Sequence, residues 1–329
     1  YDPGVFSHPF TGKMIPIRTN WQVENFGSDE KITVPEDAIS WDIDTQVWKK
    51  VGSNQEATSK VTYDLILGNW HHEQKMDMND ILYSLYFLLE WGSEKHEGDI
   101  TYDSVYSPQA AQNAKTLIGI KPIDDDTIEV YVDYWHFDEA EIASWAAPWS
   151  SMPWEIVAAS EEAVLDGKVS FSRSGGISKS VNWLSLIVPN DAKIIKEQLV
   201  EFKESRYIPP SLQNSQHDWQ YFEQRYDAAI EWIDENRHAV ISNGPFYLDN
   251  YSPESRTITI KSFDSIGYPF EAGKWKKFEQ IKFPKIIEVE IPNVVDLKKE
   301  LSVRVHTTDS SAIHYFISNP KGETSASGI

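Results

Sequence analysis

The chain has 329 residues, 51 of them acidic and 30 basic, for a formal net charge of −21. A field of that sign repels nucleic acid and anionic membrane surfaces, and excludes both as partners. With 40% hydrophobic and 13% aromatic residues, the chain can bury sizeable cores, and its length suits two or three domains of about 100–200 residues each.

The acidic residues are spread out, with only short clusters such as Asp124-Asp125-Asp126, which suits a solvated surface better than an acidic tail. There is no cysteine, which fits an exported domain with a large core as well as a cytosolic one. No run approaches the ~20 apolar residues of a membrane span, and no signal peptide opens the chain. Tyr1-Asp2-Pro3 reads like the middle of a protein, so a mature or trimmed fragment is expected. The 13 Trp and 15 Tyr serve two ends: most fill cores, and some can line ligand clefts.

Residues 1–70 carry short extended pieces. Trp21-Gln22-Val23 is one, and Ala38, Ile39, Trp41, Ile43 and Val47 alternate loosely with polar residues in another. The β-rich run Val61-Thr62-Tyr63-Asp64-Leu65-Ile66-Leu67 ends at Gly68. A helix start follows. Asp77 can cap, Asp80 sits three residues on, and Ile81, Leu82, Leu85, Leu88 and Leu89 recur at helical spacing up to Gly92. Ser107-Pro108 opens a second helix reaching Ala114. Residues 118–123 and 127–134 read as strands of a hairpin that turns at Asp124-Asp125-Asp126. Helices are expected over 136–165, interrupted at Pro148 and Pro153, and over 191–204 and 219–237. After Asn243-Gly244-Pro245, Phe246-Tyr247-Leu248 is set to pair with Thr257-Ile258-Thr259-Ile260. From Ile286 the texture changes to period-two alternation at Ile287, Val289 and Ile291, then Leu301, Val303 and Val305, then Ile313, Tyr315 and Ile317. That pattern predicts a small β-sandwich with too few strands to close. Its open edges need missing sequence or a neighbouring chain to complete them.

Several segments, in the right order, resemble the peptide and nickel class of extracytoplasmic solute-binding proteins. Tyr1-Asp2-Pro3 with Thr11-Gly12-Lys13-Met14-Ile15-Pro16 is similar to the family's opening strand and turn. Thr19-Asn20-Trp21-Gln22-Val23 resembles its "AESWEV", and the stretch from Trp70-His71-His72-Glu73 to Tyr83-Ser84-Leu85 resembles "KFHDGTPLTADDVVYSL". The run from Ile123 to Tyr131 is like "DDYTVEV", and Asn243-Gly244-Pro245-Phe246-Tyr247-Leu248 matches "GTGPYKL". The long helical stretch before that last motif is most like archaeal members. Two departures stand out. Glu73-Gln74 replaces the familiar glycine of the "HDGT" turn, so that loop is expected to differ. At Pro284 the chain turns into an Ig-like stretch, where the family continues into a third lobe that supplies half of the ligand cleft.

The resemblance implies an α+β fold, with mixed-sheet lobes of a class II periplasmic-binding-protein type and a partial C-terminal β-sandwich. The expected domains are an α/β lobe over 1–155, a helical insertion over 156–237, strands returning to the first lobe over 238–284, and a partial Ig-like β domain over 285–329. The implied function is the solute-binding component of an ABC importer, extracellular and attached to the cell envelope, capturing peptides or oligosaccharides. The implied partners are that ligand, a membrane permease, and a missing third lobe or neighbouring chain. A cell-surface structural or assembly protein reusing the same fold is the alternative.

Candidate chemistry is sparse. His71-His72-Glu73 lacks a third ligand at motif spacing, so a surface loop is expected there rather than a zinc site. His8, His96, His136 and His238 lie singly and read as structural. Asp138, Glu139 and Glu141 near Trp135 are the best carboxylates for a glycosidase pair, though solvated charge runs look the same. Asp124–Asp126 lacks the spaced oxygens of a calcium loop. No enzyme, cofactor or metal is expected. Trp145, Trp149 and Trp154, beside Pro148 and Pro153, can either stack on an uncharged ligand or pack in a core. Ser172-Arg173-Ser174-Gly175-Gly176 reads as a flexible basic loop, in which Arg173 meets a ligand carboxylate or stays solvated. Asn250-Tyr251-Ser252 is the sole N-glycosylation sequon, usable on an exported chain.

Overall fold

The computed structural model describes residues 1–93, 99–276, 285–292, 300–308, 313, 315–322 and 324–328. It divides into two compact units, Tyr1–Phe6 with Met14–Pro269, and Ser7–Lys13 with Phe270–Ile329. Helices and strands are mixed throughout, around one six-stranded sheet. Among the described residues, no helix is long and apolar enough to cross a membrane.

In the first unit, short strands β1 (Val5–Ser7) and β2 (Met14–Pro16) precede β3 (Thr19–Asn25), β4 (Ile32–Thr33), β5 (Ile39–Asp42) and β6 (Val47–Lys50). Then come β7 (Glu56–Ala57), β8 (Ser59–Leu65), helices α1 (Met78–Trp91) and α2 (Tyr106–Thr116), and strands β9 (Leu117–Pro122) and β10 (Thr127–Val132). The main sheet runs in the order β3-β8-β10-β9-β5-β6, every neighbour antiparallel. Period-two alternation sets which face is buried. On β8 and β10 it turns Val61, Tyr63, Leu65, Ile128, Val130 and Val132 inward, while Lys60 bridges Glu24 and Glu129 on the opposite face. The predicted β9–β10 hairpin is present. Asp124 closes its turn, one Oδ1 accepting from the amides of Asp126 at 3.2 Å and Thr127 at 2.7 Å.

Helix α1 is apolar on two faces. Ile81 and Leu85, four residues apart, pack on the sheet together with Ile142 and Ala143 from α3 (Glu139–Trp145) and Ala146 at its C-cap. Tyr83, Tyr86 and Trp91 turn instead toward α4 (Trp154–Leu165), α6 (Pro189–Ser205) and α7 (Trp219–Asn236). The helices within 156–237 therefore share a core with α1, Trp41 and Trp70. Between α4 and α6 lie β11 (Val169–Ser170), the short helix α5 (Arg173–Lys179) and β12 (Asn182–Trp183), with β11 and β12 parallel. Strands β13 (Phe246–Ser252) and β14 (Thr257–Ser262) form the expected antiparallel ribbon. The buried Phe263, 8% exposed, ends it.

The second unit shows two antiparallel pairs. These are β15 (Lys285–Glu290) with β16 (Arg304–Thr308), and β17 (Tyr315–Ser318) with β18 (Thr324–Gly328). Ile286, Ile287, Val289, Tyr315, Phe316 and Ile317 on these strands are exposed. The expected turn at Pro284 lies outside the described residues.

Ile128 is 0% exposed at the centre of the sheet, opposite Tyr63 on β8 and Pro122 on β9. Truncating it leaves a cavity walled by strands on both sides. Ile128→Ala is expected to lower the stability of the first unit by about 2–5 kcal/mol in urea denaturation. A loss below about 1 kcal/mol would mean that the sheet collapses into the space.

Candidate functional site

The start of α1 repeats the pattern seen in the sequence and adds a second role. Asp77 caps the helix by accepting from the Asn79 amide at 2.9 Å, and Asp80 Oδ2 accepts from the Asp77 amide at 3.1 Å. That box consumes only part of Asp80. The rest of its carboxylate faces Arg225 on α7, whose Nη2 lies 2.6 Å from Asp80 Oδ1 and 2.7 Å from Glu155 Oε2 on α4. Arg225 Nε adds a 3.0 Å bond to Glu155, and His72 Nε2 donates to Glu155 Oε1 at 2.7 Å. Trp70 Nε1 and the Trp154 amide complete the ring of donors around Asp80, at 3.3 and 3.0 Å. All four ionisable groups are buried. Burial pushes the Asp80 carboxyl above its ordinary value, with the Arg225 charge opposing the shift. Burial also acts on Glu155, but there Arg225 and the His72 hydrogen bond outweigh it and hold the carboxyl low. His72 is pulled down by burial, and its Nδ1 has no hydrogen-bond partner among the described residues.

A second buried hub gathers segments far apart in the chain. Arg18 Nε pairs with Asp2 at 3.1 Å, Nη1 donates to the Ile66 carbonyl at 2.9 Å, and Nη2 donates to the Asn243 carbonyl at 2.7 Å. The Asp2 amide donates to Asn243 Oδ1 at 3.0 Å, and Trp149 Nε1 donates to the Asp2 carbonyl at 3.0 Å. Beside it, His71 Nε2 donates to the Gly244 carbonyl at 3.0 Å while its Nδ1 accepts from the Ser242 amide at 3.3 Å. Those two bonds define a neutral ring, and burial pulls its pKa from 6.5 to about 4. A Cβ at Gly244 would stand 3.0 Å from the Tyr1 backbone, so a larger residue there would press on the N-terminal segment. Glu73 takes φ +64°, the left-handed conformation that favours glycine. Its carboxylate is held by Ser265 Oγ at 2.7 Å and Asn69 Nδ2 at 3.2 Å.

The expected surface loop at 71–73 is thus corrected: His71 and His72 are only 6% and 9% exposed, each held by a separate network. Trp154 is fully buried and edge-on to Phe222 and Tyr226, which makes it core. Trp149, partly buried, clamps the N-terminal segment beneath Arg18. Trp145 is also partly buried, stacks on Tyr134 at 4.7 Å, and donates to Thr116 Oγ1 at 2.9 Å. The structure therefore does not bring the three rings together as one platform. Asp138 caps α3, and Glu139 and Glu141 sit in its first turn, where a helix favours negative charge. His136 and His238 make local backbone hydrogen bonds, and His96 lies outside the described residues. Asn250 is exposed on β13, next to a register shift.

The expected flexible loop around Arg173 is a capped helix. Ser172 Oγ accepts from the Gly175 amide at 3.0 Å and donates to the buried Asp103 carboxylate at 2.7 Å, which places exposed Arg173 at the first position of α5. Among the described residues, one group could offer a metal three ligand atoms within 4.8 Å: Glu288, Glu290 and His306, all exposed on β15 and β16. There Glu290 already pairs with Arg304 at 3.2 Å and with His306 at 3.4 Å. The sequence reading missed Arg18, Glu155 and Arg225, and named Asn243 only within a motif. A basic residue within an apolar helix face, as at Arg225 between Phe222 and Ala229, was the available signal.

Two measurements check these networks. Arg225→Ala leaves two buried carboxylates without their cation, and is expected to cost about 3–5 kcal/mol in urea denaturation. His71 supplies a pH test. In the unfolded chain it takes up a proton near pH 6.5, whereas in the fold it does so only near 4. Its contribution is therefore complete above pH 6.5 and is lost as pH falls toward 4, on the order of 3 kcal/mol in all. Glu161, pushed up to about 7 by burial, works in the opposite direction, so wild type must be compared with His71→Gln. The stability difference between the two proteins is expected to shrink from pH 7 to pH 4.5; a constant difference would show that His71 does not titrate differently on folding.

No family model matches this sequence, and a search of curated proteins returns no match.

Proposed function

We propose that the first unit is the ligand-binding lobe of an extracytoplasmic solute-binding protein of the peptide and nickel class. In this reading it captures a peptide or oligosaccharide outside the cell and delivers it to an ABC-type permease. The supporting observation is that the segments carrying the resemblance meet at one buried place. Tyr1-Asp2, the strand from Thr19, the Trp70-His71-His72 turn and Asn243-Gly244 are scattered over the chain, yet Arg18 and His71 tie them together through direct hydrogen bonds. Short motifs matched by chance have no reason to share a hub. Glu73 supports the same reading, since it stands where the resembled motif has glycine and takes a left-handed backbone conformation that favours glycine. Binding would use aromatic and backbone contacts, with closure against an opposing lobe trapping the solute. The periplasmic-binding-protein class of the fold, the extracellular location at the cell envelope and use of the Asn250 sequon all belong to this proposal.

A cell-surface assembly role is the second reading. It is favoured by the paired strands of the second unit, which carry exposed Ile286, Val289, Phe316 and Ile317. Such pairs can add strands from another copy.

Melting curves of the full-length protein with a panel of di- to hexapeptides and neutral oligosaccharides decide between the readings. A ligand at a hundredfold excess over Kd stabilises by about 2.7 kcal/mol, readable as a raised melting temperature. If no compound in the panel shifts melting while the protein sediments as polymers, the assembly reading replaces the transport one.

A further inference from the structure

The β15–β16 ribbon of the second unit carries an arrangement that no local spacing in the sequence announces, because its parts come from two strands. Glu288 pairs opposite His306, Val289 opposite Val305 and Glu290 opposite Arg304. Side chains alternate between the faces of a strand, so Glu288, Glu290, Arg304 and His306 share one face and the two valines take the other. On that polar face, one ligand atom each from Glu288, Glu290 and His306 lies within 4.8 Å of the other two. No other group of His, Asp and Glu does this among the described residues.

Distances separate two uses of these side chains. His306 Nε2 stands 3.4 Å from Glu290 Oε1, beyond the range of about 2.7–3.2 Å for a well-formed hydrogen bond. With zinc–ligand bonds of about 2.0–2.1 Å, neighbouring ligands of a tetrahedron stand about 3.3–3.4 Å apart, so this pair already has the spacing of two zinc ligands. Arg304 leaves the arrangement open. Its Nη1 lies 3.2 Å from Glu290 Oε2, the oxygen that is not the one facing His306. A bond of that kind orients a carboxylate ligand and leaves its other oxygen for the metal. Glu288 sits directly across from His306 and is exposed, so a side-chain rotation suffices to bring it in.

We propose that Glu288, Glu290 and His306 form a zinc site with one coordination position open to water. An imidazole with two carboxylates suits zinc better than calcium or magnesium, whose ligands are oxygens. The ribbon has a use for such an ion. Two strands alone are marginal in water, and Ile286, Ile287 and Val289 on β15 are exposed. The chain has no cysteine, so no disulfide can tie the strands together. An ion held by both strands does so, and its binding free energy adds to the stability of their pairing. The proposal is independent of the solute-binding reading, since the first unit contributes none of the ligands.

The test is a calorimetric titration of the full chain, first stripped with a chelator, with zinc chloride alone. Calcium chloride and magnesium chloride serve as comparisons. Wild type is expected to take up zinc at this site, and His306→Gln and Glu288→Gln/Glu290→Gln are each expected to weaken that uptake at least tenfold. All three side chains are exposed, so the metal-free variants should melt with wild type; if one melts early, the other decides. Zinc is also expected to slow amide exchange over residues 285–290 and 304–308 in wild type and in neither variant. Zinc that binds wild type and both variants alike, or leaves exchange in the ribbon unchanged, would overturn the site. Calcium or magnesium binding as tightly as zinc would overturn it too, by marking an acidic surface in which the imidazole has no part. Absence of zinc binding to wild type would end the proposal and leave the solute-binding reading standing.

Discussion

The first unit depends on one buried cation. Arg225 is taken out of water completely, which costs several kcal/mol per ion in any protein, and only good geometry offsets that cost. Here the guanidinium fork meets two carboxylates on different helices, Asp80 on α1 and Glu155 on α4, while His72 donates to the far oxygen of Glu155. Each group comes from a separate element. The network therefore specifies how α1, α4, α7 and the turn before α1 sit together, whereas apolar contact alone would tolerate slippage. Asp80 is central because it serves twice, once as the acceptor closing the N-terminal box of its own helix and once as the partner of Arg225.

Arg18 performs the corresponding task for the backbone. Its three nitrogens reach Asp2, Ile66 and Asn243, so one side chain pins the first residues of the chain beside residues more than two hundred positions later. Trp149 covers this junction and Tyr268 OH adds a 2.9 Å bond to Asp2. Contacts of such long sequence separation are costly in loop entropy. They persist because every polar group in the hub has a partner, and a buried donor left without one would cost about 1–3 kcal/mol.

The aromatic richness of the chain is largely absorbed by α1, which presents aliphatic residues to the sheet and aromatic ones to the helical layer. Glu161 shows how the aromatics stay polar at their tips, accepting from Tyr83 at 2.6 Å and from Tyr86 and Trp91 at 2.7 Å. A carboxylate surrounded by such donors needs no cation, although burial still pushes its pKa up to about 7.

The sequence alone determined the local structure. Period-two runs placed β8, β9, β10, β13 and β14, the Asp124 turn closed its hairpin, and the Asp77-x-x-Asp80 spacing started α1. These signals are readable because they arise between residues a few positions apart. Ordered short motifs also brought the solute-binding resemblance into view. The tertiary structure alone decided the rest. It buried His71 and His72 where a surface loop was expected, made Trp154 core, turned the Arg173 loop into a capped helix, and paired Arg225 with Asp80 at a separation of 145 residues. Which charged or aromatic side chain is withdrawn from water depends on what distant segments bring against it, and no local spacing carries that information.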